Sequence, residues 1–203
     1  MPSESAPARR PALDRESIIA AARAAIAKEG LERFSLRRLA ADLGVTAPAL
    51  YAHVRGKEEL IGAIAEDEFR RFMERLSNVG EGEPLERIRA GCRAYVDHAR
   101  ENPELFKLMF RFRPVITSTP RGDEFAAATR SFERGSAAVE EAVAAGQLAT
   151  DDPLLASLTI WTATHGLVAL ILSGADFGAE QEEQLFESLM HVMLAGLQTP
   201  RET

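Results

Sequence analysis

Cysteine is nearly absent from this chain of 203 residues, and its scarcity excludes several kinds of protein. Cys92 stands alone, so the chain can form no internal disulfide and no redox or metal site that needs a cysteine pair. The first residues also lack the apolar run of about 7 to 15 residues that a secretory signal requires. We therefore expect a chain that works in the reducing environment of the cytoplasm.

Sequence motifs for catalysis and metal binding are missing as well. The sequence contains no nucleophile elbow, no phosphate-cradling glycine loop and no catalytic carboxylate pair. His98, His165 and His191 lie at no metal-binding spacing from an acid or another histidine. We expect neither an enzyme nor a site for a metal or cofactor.

Positive charge is scarce overall but concentrated near the N-terminus. The net charge is −7, yet ten lysines and arginines stand against five acids between residues 9 and 57. Attraction to phosphate is local, because salt screens it beyond about 10 Å. A basic segment can therefore face a polyanion while the rest of the chain stays acidic. The alternative is a chance fluctuation in surface charge.

Apolar residues recur at helical spacing along the chain, and no useful strand alternation appears. Capping residues place the first helix after Asp14, the second after Ser35 and the third after Thr46, with Gly30, Gly44 and Gly56 as the ends. The predicted helices span about residues 15–29, 36–43, 47–55, 57–76, 84–102, 104–112, 123–145, 152–174 and 180–197. We predict an all-α fold.

Residues 35–54 contain two short helices joined by a tight turn at Gly44. Leu39, Val45 and Leu50 are spaced to hold the two helices together. Such packing leaves the outer face of the second helix free to enter the major groove of DNA. The pattern therefore predicts a helix-turn-helix. The alternative is that any two short helices of an all-α protein look alike.

The same residues resemble the TetR family of transcriptional repressors. The family pattern Leu-Ala-x-x-Leu-Gly-Val is met by Leu39–Val45, and Leu-Tyr-x-His-hydrophobic-x-x-Lys-x-x-Leu is met by Leu50–Leu60. Further along, Trp161–Gly166 is similar to a Trp/His/Gly signature of some members.

The resemblance implies a division of the chain and a mode of action. It implies a three-helix helix-turn-helix DNA-binding domain at residues 14–57 and a helical-bundle ligand-binding and dimerisation domain at residues 58–203. Residues 1–13 are rich in Pro, Ala, Ser and Arg and lack apolar periodicity, so their composition predicts a disordered basic arm. The resemblance also implies a ligand-responsive regulator, usually a repressor, that binds a palindromic double-stranded DNA operator as a homodimer. An unknown small-molecule effector would release it.

Contacts to DNA are expected from the side chains of the helix-turn-helix. Tyr51, His53 and Lys57 offer polar groups to phosphate oxygens, while the Arg37 guanidinium could hold a guanine edge. The full predicted set is Ser35, Arg37, Thr46, Ala47, Pro48, Ala49, Tyr51, His53 and Lys57.

An effector pocket could form around Trp161 and His165, which share one helical turn in an otherwise apolar helix. The candidate pocket residues are Phe106, Met109, Phe110, Phe125, Phe132, Trp161 and His165. The alternative for each aromatic residue is a plain place in the core.

Leu154 to Leu172 form a run of 19 residues without Asp, Glu, Lys or Arg. Its length would suit a membrane span, but polar residues within it and acids beside it argue against one. A helix that is apolar on all sides needs cover on all sides, which the last helix and a second subunit could supply. The candidate dimer residues are Leu158, Leu167, Phe186, Leu189, Met190, Met193 and Leu197.

Two rival functions stay open on the sequence. A sequence-independent architectural DNA-binding protein would need more phosphate contacts than a net-acidic chain offers. A small-molecule-binding or enzymatic helical protein could have retained the first domain without specific DNA binding.

Overall fold

The computed structural model describes residues 13–79, 82–111, 126–175 and 177–198, with the side chains of residues 126–132 excepted. The described residues form helices and contain no strand. These are α1 (Arg15–Glu29), α2 (Leu36–Asp42), α3 (Ala47–Tyr51), α4 (Lys57–Ser77), α5 (Pro84–Glu101), α6 (Pro103–Arg111), α7 (Ala126–Ala144), α8 (Pro153–Leu172) and α9 (Gly178–Gln198). The all-α prediction is confirmed, whereas the basic arm expected at residues 1–13 lies almost wholly outside the described residues.

The chain divides into two compact units within α4. The first unit ends at Ile64 and the second begins at Ala65. This division lies inside the helix rather than at residue 57, where the sequence motif ends, because α4 continues without interruption through Lys57–Ser77.

Side-chain caps fix the helices of the first unit. The Asp14 carboxylate accepts a hydrogen bond from the Ser17 backbone N–H at 2.7 Å, and the Ser17 hydroxyl closes the reciprocal capping box. Buried apolar side chains from all four helices supply the core; among them are Ile18, Ile26, Leu39, Leu50 and Leu60. The unit is therefore built on short helices that each begin at a cap and bury one face.

Gly44 makes the turn between α2 and α3. Its φ of 68° is in the left-handed region. Its N–H donates to the Ala41 carbonyl at 3.0 Å, and the Val45 N–H donates to the Ala40 carbonyl at 2.9 Å. These two bonds form a Schellman motif, which ends a helix sharply. The following helix is shorter than predicted, because α3 ends at Tyr51 and not at Gly56.

The second unit is organised around α5, which packs against α6, α7 and α8, while α9 packs on α8. One core cluster joins α4, α5, α6, α8 and α9, and a second joins α5, α7 and α8. Ion pairs tie the outer surface of α5 to α9: Arg93 binds Glu183 and Glu187, and Arg100 binds Glu182. The aromatic residues of the sequence are gathered mainly in the first of these clusters.

The apolar helix α8 is only partly covered by its own chain. Among the described helices, α8 is the one whose length and composition would allow it to cross a membrane. This is weak evidence for a membrane span, because the core helices of soluble proteins can be equally long and apolar. Only about a third of the most apolar stretch of 18 residues in α8 is buried within the chain. Leu154, Leu155 and Leu170 each expose about half of their surface.

Three of the predicted dimer residues are already buried within a single chain. Leu167, Phe186 and Met190 belong to the core cluster of the second unit, and Met190 has no exposed surface. The helical spacing of apolar residues in α9 identified a buried face, and residues of the same chain cover the part of it that holds Phe186 and Met190. Leu158, Leu189, Met193 and Leu197 are half-buried.

Candidate DNA interface and effector site

The helix-turn-helix presents most of the predicted DNA contacts to solvent. Leu39 and Leu50 are buried, and Val45 is half-buried, which agrees with their predicted role between the helices. Tyr51 exposes 54% of its surface although it is a large aromatic residue. Exposed residues of the predicted set are Ser35, Arg37, Thr46, Pro48, Tyr51 and His53, while Ala47, Ala49 and Lys57 are half-buried.

Two hydroxyls of the predicted interface cap the helices that carry it. The Ser35 hydroxyl accepts from the Arg38 backbone N–H at 3.2 Å, and the Thr46 hydroxyl accepts from the Ala49 backbone N–H at 3.4 Å. An oxygen that accepts in a cap can still donate its proton outward. Ser35 and Thr46 can therefore begin their helices and bind phosphate at the same time.

Neighbouring arginines in α2 have different surroundings. Arg38 forms an ion pair with Glu29 at 2.6 Å between Nη2 and Oε1. Arg37 is exposed, and its guanidinium forms no hydrogen bond, ion pair or ring contact with the part of the chain that the structure describes. Arg37 thus keeps all of its donors for an external acceptor, as the bidentate reading of a guanine edge requires.

The Lys57 ammonium group already makes contacts inside the first unit. Its Nζ donates to the Phe34 backbone carbonyl at 2.7 Å and lies 5.6 Å above the centre of the Phe34 ring. An ammonium has three donors, so two protons remain for a phosphate oxygen. Lys57 therefore joins the start of α4 to the residue before Ser35, a structural role that the sequence motif did not indicate.

The turn after α3 is held by the first helix. Arg15 donates from Nη1 to the His53 carbonyl at 3.4 Å and forms an ion pair with Glu59. The Arg15 hydrogen bond holds the pKa of Glu59 below its ordinary value. Arg15 therefore holds the backbone that carries His53, a contact with α1 that the sequence analysis missed.

In the second unit, an aromatic cluster contains most of the predicted pocket residues. The ring of His165 lies 4.8 Å from Phe110, 5.5 Å from Trp161 and 6.0 Å from Phe106, measured between ring centres. Met109 is fully buried in the same core. The structure thus brings Phe106, Met109, Phe110, Trp161 and His165 together. Phe125 and the side chain of Phe132 lie outside the described residues.

Tyr95 completes this cluster and was not among the predicted pocket residues. Its hydroxyl lies 2.8 Å from Nδ1 of His165. Burial raises the pKa of the phenol and lowers the pKa of the imidazole, so both groups are neutral at pH 7. The periodicity of α5 indicated only that Tyr95 faces inward, since a contact with α8 depends on how the two helices pack.

Cys92 lies beside the aromatic cluster and is not a reactive group. Burial raises the pKa of its thiol to about 11. The thiolate that nucleophilic chemistry needs is therefore rare at pH 7.

Comparison with known proteins places both units in one family. The model of bacterial regulatory proteins of the tetR family matches residues 18–64, and that of the tetracyclin repressor-like C-terminal domain matches residues 88–193. The second match alone covers more than half of the chain. The two matches include the helix-turn-helix and the aromatic cluster respectively.

Individual relatives agree with these matches. An uncharacterised HTH-type transcriptional regulator of Mycobacterium tuberculosis is 33% identical over 170 residues, which cover 81% of this chain and 73% of the relative. The tetracycline repressor protein class D of Escherichia coli is 42% identical over 53 residues, which cover 26% of this chain and 24% of the repressor.

Solved structures share the same fold. A protein of unknown function from Rhodococcus sp. RHA1 is similar with a TM-score of 0.78 at 28% identity, over 91% of this chain and 95% of that one. A regulator of the TetR/AcrR family from Thermobifida fusca has a TM-score of 0.64 at 22% identity, over 91% of this chain and 98% of that one. On the two matching domains and the similar M. tuberculosis regulator, the chain belongs to the TetR family of transcriptional regulators, which are not enzymes.

Proposed function

We propose that this regulator is a cytoplasmic repressor that binds a palindromic operator as a homodimer and leaves it when a small-molecule effector binds. The observation that carries the proposal is the exposed face of α3, on which Thr46, Tyr51 and the adjacent His53 face solvent. A short capped helix of this kind can enter a major groove with its N-terminus toward the bases. The name of the E. coli relative, a repressor, supports the direction of regulation.

The exposed faces of α8 and α9 support a homodimer. In each helix, exposed residues three or four positions apart form a row, and neither row contains a charged side chain. In α8 the row includes Leu155, Thr159, Thr162, Gly166 and Leu170, and in α9 it includes Leu185, Ser188, Val192 and Gly196. Small residues between larger apolar ones allow two helices to approach closely. A second copy of the chain offers the same two rows, as a two-fold symmetric interface requires.

The proposed release depends on α4. This helix begins at Lys57 in the first unit and carries Phe69 and Phe72 in the core of the second. An effector shifts an equilibrium only if it binds one conformation better than another. An effector that moves Phe69 or Phe72 would displace the helix that also supports the DNA-binding unit. Release would follow from a changed separation or orientation of the two DNA-binding units of the dimer.

Selection of bound sequences from random DNA tests the proposal directly. The full chain should enrich one palindromic sequence, and sedimentation of the complex should show an even number of chains on each duplex. Small molecules can then be screened for release from that duplex. Equal binding of all sequences would instead support an architectural protein, and undetectable specific binding with turnover of a small molecule would support the enzymatic alternative.

A further inference from the structure

Two polar side chains are hydrogen-bonded to each other inside the aromatic cluster of the second unit. The Tyr95 hydroxyl lies 2.8 Å from Nδ1 of His165. Apolar residues of similar size would fill this space without any polar group to satisfy. The pair therefore calls for an explanation beyond packing.

The chemistry of the two groups favours one direction for this hydrogen bond. A phenol is the stronger acid and an imidazole nitrogen the stronger base, so the Tyr95 hydroxyl donates to Nδ1 of His165. A neutral imidazole that accepts at Nδ1 carries its proton at Nε2. Tyr95 is thus a positioning residue that makes Nε2–H of His165 a donor.

This donor is available to a ligand. The structure gives Nε2 of His165 no hydrogen-bond partner among the described residues, and the His165 side chain is half-buried. The neighbouring Phe110 and Trp161 are also half-buried, so parts of three ring systems remain uncovered. The Trp161 and His165 rings are stacked, with an interplanar angle of 27°. A flat apolar molecule can extend such a stack while it accepts one hydrogen bond.

No charged side chain is paired with His165. Among the described residues it forms no ion pair, and burial is the cause of its lowered pKa. Arg93 lies 3.6 Å from the centre of the Phe186 ring, but its charge is paired with Glu183 and Glu187. The buried His98 lies beside the ring of Phe72 and 3.8 Å from Glu68. An ionic ligand at His165 would therefore lose its hydration without gaining a counter-charge.

We propose that the effector is an uncharged molecule with a flat apolar body and one acceptor oxygen, such as a carbonyl, that receives the Nε2–H of His165. The proposal rests on the proposed function in one respect, since it assigns the effector of that regulator to this cluster. The hydrogen bond selects among apolar molecules, and the lack of a counter-charge selects against carboxylates and amines.

Three probes of nearly equal shape test the proposal in ligand-observed NMR titrations of the full chain without DNA. 2-Acetylnaphthalene has the acceptor, 2-ethylnaphthalene lacks it, and 2-naphthoate carries a charge. We expect the ketone to bind about 3- to 10-fold more tightly than the hydrocarbon, as one net hydrogen bond allows. The carboxylate should bind at least about 10-fold more weakly than the ketone.

Variants connect the selectivity to the donor. His165→Phe keeps an aromatic ring but removes Nε2–H, so the ratio of ketone to hydrocarbon affinity should fall to about one. Tyr95→Phe should reduce the same ratio, because the imidazole is no longer held in one tautomer. His191→Phe, at an exposed position of α9, is the matched control and should keep the ratio of the unaltered chain. Thermal melting of each variant checks that the fold is retained.

The outcomes separate this inference from the proposed function. Tighter binding of naphthoate than of the ketone, an unchanged ratio in folded His165→Phe, or no binding of any probe would overturn the inference, even if operator binding is intact. Ketone binding with the expected ratios supports it, even if the ketone fails to release the operator. In that last result the release mechanism would be refuted instead.

Discussion

Arg37 and Arg38 are adjacent in α2 but differ in what they contact, and this difference provides a matched test of DNA reading. Arg37→Ala should cost about 1 to 3 kcal/mol of binding free energy at one guanine and less on operators lacking it. Arg38→Ala removes a guanidinium already paired with Glu29, so a similar loss at one base is not expected. Titrations against single-base operator variants measure both. Equal losses on every operator after Arg37→Ala would contradict a base-reading role.

His165 should make the stability of the protein depend on pH in a narrow window. Burial lowers its pKa, so the unfolded chain takes up the proton more readily than the folded one. The free energy of unfolding should therefore fall as the pH decreases from the ordinary value of 6.5 toward the lowered pKa. Urea unfolding of the chain and of His165→Phe between pH 7 and 5 measures the difference. A larger loss in the variant would show that the sign is wrong.

Ser35 is the N-cap of α2 and is also one of the predicted DNA contacts, and two substitutions separate these roles. Ser35→Ala removes the acceptor for the Arg38 N–H and should cost about 1 kcal/mol of unfolding free energy. Ser35→Asp restores a capping oxygen and should recover most of that stability. The new negative charge should still weaken operator binding by repelling phosphate. Denaturant unfolding and operator titration of both variants would show whether the effect on stability and the effect on DNA affinity can be separated.

Helices α8 and α9 contain two kinds of apolar residue, which substitutions should distinguish. Met190 has no exposed surface, so Met190→Ala should cost about 2 to 5 kcal/mol of unfolding free energy through the cavity it leaves. Val192 exposes 65% of its surface, so Val192→Lys should leave the chain folded and convert the proposed dimer to monomers. Sedimentation equilibrium and circular dichroism report the two properties. A dimer that survives both Val192→Lys and Leu170→Lys would place the interface elsewhere.

A dimer with two DNA-binding units makes its affinity depend on the spacing of the operator halves. Insertion of about five base pairs between the halves turns them to opposite sides of the duplex, so affinity should fall to nearly that of a single half-site. Insertion of about ten base pairs returns the two halves to the same side of the duplex and should recover part of the lost affinity. Gel-shift titration of the original operator and of the two insertion variants measures the three affinities. Equal affinity for all three would show that the two units bind independently.

The charge distribution belongs to the molecule as a whole. With a net charge of −7, the chain approaches DNA favourably only through its basic N-terminal segment. We therefore expect nonspecific binding to be weak and specific recognition to depend on a few exposed groups such as Arg37, Tyr51 and His53.

Local interactions explain why much of the fold could be predicted from the sequence. Asp14, Ser35 and Thr46 cap the helices that they were expected to cap, and Gly44 forms the turn. Each of these features involves residues only a few positions apart, so the chain needs no distant partner to form them. The helix-turn-helix and its exposed face were therefore evident before any tertiary contact was known.

Contacts between residues far apart in the sequence could be known only from the tertiary structure. Periodicity in α9 showed that Phe186 and Met190 lie on one apolar face, but it could not tell cover by the same chain from cover by a partner. Likewise, the sequence placed Trp161 and His165 on one turn of α8, whereas Tyr95 reaches them only because α5 packs against α8. Sequence alone determined the helices, their caps and the DNA-binding motif, because these depend on near neighbours. The packing of α5, α8 and α9 decided which apolar and polar side chains meet, because that depends on residues as many as 70 positions apart.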